Sequence, residues 1–75
     1  MTHDKETDAR GLNCPLPIMR AKKDLNGMTS GQVLRVVATD PGSVKDFKAF
    51  CTQTGHQLIS SAEKGKDFEY YIKVK

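Results

Sequence analysis

Pro15 and Pro17, two residues apart in Asn13-Cys14-Pro15-Leu16-Pro17, constrain this chain more than any other feature. Neither has an amide hydrogen, and both hold φ near the helical value, so a helix can begin here without losing a bond it would otherwise make. The residue before a proline is pushed toward an extended backbone, which predicts Cys14 as the cap and Pro15 as the first residue inside the helix. A thiol there faces unpaired amides and the positive end of the helix dipole, both of which favour thiolate. With the prolines excluded, the amides left to converge on the sulfur are those of Leu16 and Ile18. Cys14 is the candidate nucleophile, with Pro15, Leu16, Pro17 and Ile18 as its thiolate-stabilising surroundings.

From that start, Ile18, Ala21, Leu25 and Met28 recur at helical spacing, and Gly27 closes the helix, with Met28 beginning the exit loop. The β-branched run Val33 to Ala38, bounded by turn residues, predicts a buried strand. Thr39-Asp40-Pro41-Gly42-Ser43 breaks the chain, and Ser43 with Asp46 three residues later resembles a capping box for a second helix. Val44, Phe47 and Cys51 form one stripe of that helix, which stops at Gly55. Leu58, Ile59 and Ala62 suggest a strand over 57–63, and Lys64-Gly65-Lys66-Asp67 a hairpin turn. The last segment alternates: Phe68, Tyr70, Ile72 and Val74 on one face, Glu69, Tyr71, Lys73 and Lys75 on the other. Residues 5–9 have too little apolar content to define a strand by pattern. Adding a strand there gives the order βαβαββ, a two-layer α/β (α+β) sandwich with a four-stranded sheet and both helices on one face.

At 75 residues the chain predicts a single domain over 1–75, with no room for a deep substrate cavity. No stretch reaches the roughly 20 apolar residues of a membrane span, and Met1 to Glu6 lacks the apolar core of a signal peptide, so a cytoplasmic setting is expected. Two widely separated cysteines without Cys-x-x-Cys make neither a disulfide framework nor a metal site, and fit a reduced compartment. The net charge of +3 is local. Of 12 basic and 9 acidic residues, Arg10, Arg20, Lys22 and Lys23 lie between Arg10 and Leu25 against Asp24 alone, leaving eight of each sign elsewhere. These four cations form a candidate docking surface beside Cys14 for an acidic partner, although a solvated helix face explains the charge equally well.

Cys51, within the Phe47 stripe, reads as a core thiol. Neither His3, in the polar terminus, nor His56, read as a surface residue at a strand start, has the context of a catalytic base, which argues against a Cys-His hydrolase. Turn and capping duties account for Asp40 and Ser43. No metal site and no cofactor are implied.

Residues Asp8-Ala9-Arg10-Gly11-Leu12-Asn13-Cys14-Pro15-Leu16-Pro17 resemble the signature of the TusA/SirA family of sulfur carrier proteins, in which Cys-Pro-x-Pro follows a Gly-Leu pair. Ala38 to Ser43, Asp46-Phe47, and Phe50-Cys51-Thr52 through Gly55-His56-Gln57-Leu58 are similar to its second conserved region, and the resemblance spans residues 8–75. At Leu16 the family also carries an acidic residue, so no contact of that side chain is carried over. The resemblance implies a βαβαββ sandwich similar to the C-terminal domain of translation initiation factor 3, and it supplies the first strand. It further implies that Cys14 accepts sulfane sulfur as a persulfide from a cysteine desulfurase or rhodanese. The sulfur would then pass to an acceptor protein, such as a DsrE/TusD-like one, in tRNA thiolation, molybdenum cofactor or sulfur oxidation pathways. A monomer without membrane attachment or stable nucleic-acid binding is expected. The alternative is a basic binding or regulatory module docking on RNA or a protein, for which only Tyr71 offers a stacking platform. A thiol redox enzyme is disfavoured by the lack of a nearby resolving cysteine.

Overall fold

The computed structural model describes residues 2–75, which run β1 (Lys5–Ala9), α1 (Leu16–Asn26), β2 (Val33–Ala38), α2 (Ser43–Thr54), β3 (Gln57–Lys64) and β4 (Asp67–Lys73). The order is the one read from the sequence. The strands form one mixed sheet in the order β1-β2-β4-β3, with β1 parallel to β2 and β4 antiparallel to both of its neighbours. Helix α1 packs on β1 and β2, α2 on β3 and β4, and the helices touch each other. No helix is long and apolar enough to cross a membrane.

The alternation of β4 follows from its central place, because Tyr70 and Ile72 are fully buried under the helices between strands on both sides. Leu34, Val36 and Ala38 do the same from β2. On β1 the inward residues are Thr7 and Ala9, both buried. Pattern reading misses this strand because Thr7 is polar; its hydroxyl donates to the Asp24 carboxylate on α1, which also takes Lys5 Nζ at 3.2 Å. A buried hydroxyl with a charged acceptor no longer opposes burial.

Two expectations for α2 are corrected. Ser43 and Asp46 form no capping box: Gly42 precedes the helix, and no side chain caps it. Ser43 instead points into the core, where its hydroxyl meets Tyr70 Oη at 2.7 Å. The inward stripe is therefore Ser43, Phe47 and Cys51, and Val44 is turned out to solvent. Phe47 stacks on the Tyr70 ring with centroids 4.6 Å apart. Gly55 ends α2 as read, with φ +85° and its amide on the Cys51 carbonyl at 2.9 Å. That conformation strains any residue with a Cβ.

On the uncovered sheet face, Glu69 belongs to the polar set of β4 yet is buried. Arg35 donates to it from β2 and Lys64 reaches it from β3 at 3.1 Å, while Arg35 also spans to Glu6 on β1 at 2.9 Å. These cations hold the Glu69 carboxyl below the usual carboxylate range.

The Ser43–Tyr70 pair makes the fold testable. Removing either hydroxyl leaves the other stranded in the core, so Ser43→Ala or Tyr70→Phe is expected to cost about 1–3 kcal/mol of unfolding free energy. The double variant should cost clearly less than the sum of the two, as read by urea denaturation; strict additivity would show that the hydroxyls are not coupled.

Candidate functional site

Strands β1 and β2 pair in parallel up to Ala9 and Ala38, so the segments that follow them leave the sheet side by side. Gly11, at φ +80°, donates its amide to Thr39 Oγ1 at 2.9 Å. The Cys14 amide donates to Asp40 Oδ2 at 3.0 Å, and Asp40 Oδ1 accepts the Gly42 amide at 3.1 Å. The Asp40 carbonyl also takes the Ser43 amide at 2.9 Å. One aspartate thus seats the loop carrying Cys14 on the turn that leads into α2. The turn role read for Asp40 is present, and its contact with Cys14 is an addition.

The helix start differs by one residue from the expectation. Pro15 is the residue before the helix and Leu16 the first inside it, and the Cys14-Pro15 peptide is cis. The Leu16 amide is bound to the Asn13 carbonyl at 2.9 Å, so it is not available to the sulfur. The first amides of a helix have no partner inside it, and here the loop carbonyl lies nearest. Pro17 is buried, Ile18 half-buried, and Pro15 and Leu16 are exposed.

The surroundings of the thiol are acidic rather than basic. Cys14 is exposed at one end of an open groove between the helices, lined by Pro15 and Ile18 from its own side and by Asp46, Ala49, Phe50 and Gln53 of α2. Asp46, which lines the groove with the thiol, is the main cause that pushes the Cys14 pKa above the ordinary thiol value, with some desolvation and the charge of Asp40 adding to it. The expected bias toward thiolate is therefore reversed in the free protein, because carboxylates beside the sulfur oppose a further negative charge there. Sequence reading assigned Asp46 to capping and missed it here. The signal lay in topology, since it takes the parallel β1–β2 pairing to lay the Cys14 loop against α2.

The four cations separate. Arg10 closes on Asp8, Nε to Oδ1 at 3.0 Å, and so is spent on its own strand end. Arg20, Lys22 and Lys23 are exposed and make no ion pair among the described residues. Arg20 and Lys23 line a second groove, between α1 and β1, together with the exposed Leu16 and Met19 and with the carboxylates of Glu6, Asp8 and Asp24. On the exposed side of α1 itself, Leu16, Met19, Arg20, Lys22 and Lys23 make a mixed apolar and basic strip.

Both cysteines are free. Cys51 is only 5% exposed, and burial raises its pKa. His56, just ahead of β3, accepts the Lys75 amide at Nδ1, 3.2 Å away, and its pKa is lowered by burial and by Lys75. His3 pairs with Glu6 at 3.2 Å. Neither histidine lines the Cys14 groove. Among the described residues no three His, Cys, Asp or Glu side chains are grouped to hold a metal ion.

Fold and site together define a small α+β sandwich that displays one accessible thiol at the start of its first helix. The chain belongs to the TusA family: the family profile described as Sulfurtransferase TusA matches residues 5–74. It is 67% identical over 70 residues to the sulfur carrier protein TusA of Allochromatium vinosum, covering 93% of this chain and 92% of that one. It is 52% identical to a putative sulfur carrier protein of Neisseria meningitidis, over 91% and 92% of the two chains. The crystal structure of a SirA-like protein from Desulfitobacterium hafniense superposes with a TM-score of 0.84 at 29% identity, over 93% of this chain and 96% of that one. The resemblance drawn from the sequence is thereby established at the level of family and fold.

The contrast between the two thiols sets an expected outcome. Iodoacetamide under native conditions should label Cys14 well before Cys51, with Cys51 reacting at the rate of local or global opening. Peptide mapping of a labelling time course reads this; equal rates would show that Cys14 is not presented as described.

Proposed function

We propose that this chain is a sulfur carrier, in which Cys14 takes up a sulfane sulfur as a persulfide and relays it to a cysteine of an acceptor protein. The observation that carries the reading is the placement of a free, exposed thiol at the rim of an open groove in a chain of the TusA family. An open site suits a reaction whose other half lies on a second protein. No histidine base is at hand, and thiol exchange needs none: the requirements are a fraction of thiolate, access, and a good leaving sulfur.

Loading proceeds by attack of the Cys14 sulfur on the outer sulfur of a donor persulfide. A new S–S bond forms, the donor's S–S bond breaks, and the electron pair leaves on the donor's inner sulfur, which takes up the proton that Cys14 gives up. Delivery repeats the exchange with the acceptor's thiol as nucleophile. Neither step changes the overall oxidation state, so no cofactor is consumed. A protein bearing a persulfide, such as a cysteine desulfurase or a rhodanese, is the donor in this reading, and a DsrE/TusD-like protein an acceptor, in a reducing, cytoplasmic setting. Leu16, Met19, Arg20, Lys22 and Lys23 form the docking strip: apolar contact supplies affinity, and the unpaired cations steer an acidic partner surface at a rate that falls as salt rises. Sulfurtransferase activity in this sense is turnover on protein-bound sulfur.

Incubation with a persulfide-charged cysteine desulfurase, followed by intact-mass measurement with and without dithiothreitol, tests the proposal. Wild type and Cys51→Ser are expected to gain one reducible sulfur atom, and Cys14→Ser none. Loading of Cys14→Ser, or of no variant, would overturn it.

A further inference from the structure

We propose that Asp46 is a positioning and specificity-determining residue for Cys14, an acidic gate that favours a partner presenting a cation beside its own reacting sulfur. The inference deepens the carrier reading, on which it rests, and concerns the last few ångströms of approach rather than the docking strip.

The groove offers a route to the sulfur. Cys14 and Ile18 stand on one side of it and Asp46 and Phe50 on the other, so a sulfur that approaches Cys14 along the groove passes the Asp46 carboxylate. The apolar wall residues weaken solvent screening along that route. The two carboxylates at Cys14 are not equivalent. Both oxygens of Asp40 are occupied by the amides of Cys14 and Gly42, whereas no amide binds the Asp46 carboxylate among the described residues.

Among the described residues no cation lines this groove. On α1, Arg20 and Lys23 line the other groove, toward β1, and Lys22 makes no ion pair among the described residues. On α2, Lys45 and Lys48 border an adjoining hollow that shares Ala49 and Gln53 with this groove but do not line the groove itself. In the loop, Arg10 is held by Asp8. The field at the sulfur is therefore that of Asp46 and Asp40, opposite in sign to the neighbouring strip. A free thiol beside Asp46 is held toward its protonated form, in which it reacts more slowly with bystanders. A partner cation that pairs with Asp46 offsets its charge at the thiol and favours thiolate where the donor's outer sulfur has arrived. In balance, Cys14–SH and the donor persulfide give Cys14–S–SH and the donor thiol, with no other reactant.

Small disulfides of different charge test the gate without requiring sulfur carriage. Mixed-disulfide formation at Cys14 is followed by intact mass in Cys51→Ser protein, with cystamine as the cationic probe, hydroxyethyl disulfide as the neutral one and dithiodiglycolate as the anionic one. With each rate divided by that of the same disulfide with N-acetylcysteinamide, which removes differences in leaving-thiol acidity, each step of the series at low salt is expected to differ by about fivefold, the factor for a unit-charge pair about 4 Å apart in water. The spread should collapse in 1 M salt. Asp46→Asn should flatten the ranking and move the pH midpoint of Cys14 alkylation downward, and Asp46→Glu should restore both. A flat ranking in the parent protein, or a ranking and midpoint unchanged by Asp46→Asn, would overturn the gate. Failure of persulfide loading alongside an intact ranking would instead count against the carrier reading.

Discussion

The parallel pairing of β1 with β2 is the constraint on which the site depends. Its register ends with Ala9 opposite Ala38, and the two departing segments then run side by side. Asp40, on one of them, binds the amide of Cys14 on the other. Were β1 shifted by two residues, the inward and outward faces would be kept but the Cys14 loop would lose its seat. The pairing is held from above by Thr7 and Lys5, which meet Asp24 of α1, and from below by Glu6, which meets Arg35 of β2. A weakly apolar edge strand is thus secured by polar contacts on both faces, which also charge an edge that would otherwise invite pairing with another chain.

The rest of the sandwich supports this arrangement from the other half of the same sheet face. Tyr70, on the central strand β4, stacks on Phe47 and bonds Ser43, both of α2. These contacts set the rotation of α2 about its axis, because the helix must turn Ser43 inward to satisfy the buried phenol. The same rotation turns Val44 to solvent and carries Asp46 toward the groove. A hydroxyl pair in the core thereby helps to decide which side chain stands at the reactive sulfur.

The site itself is spare. It consists of a thiol, an aspartate that anchors its backbone, an aspartate that faces its sulfur, and an open groove between two helices. Membership of the TusA family places the chain among proteins of sulfur transfer, and the surface has two regions of opposite sign for such a role. The basic, partly apolar strip along α1 is broad and suits recognition at a distance, whereas the acidic end of the groove acts only at contact range.

Much of this was legible in the amino-acid order. The prolines at 15 and 17 marked the start of α1 to within one residue, the alternation from Phe68 to Val74 defined β4, and Gly55 marked the end of α2. Such signals are local, set by φ restriction and by the two-residue period of a strand. Cys14 as an exposed thiol and Cys51 as a buried one were legible for the same reason. What tertiary structure alone decided was the company each residue keeps. Thr7 could be buried only because α1 brings Asp24 over it, Ser43 left its capping role because Tyr70 required a partner, and Arg10 was withdrawn from the docking surface by Asp8. Above all, the charge at Cys14 came out negative although its neighbours in sequence are positive, because electrostatics acts through space and the parallel sheet sets Asp40 and Asp46 beside a sulfur many residues earlier in the chain.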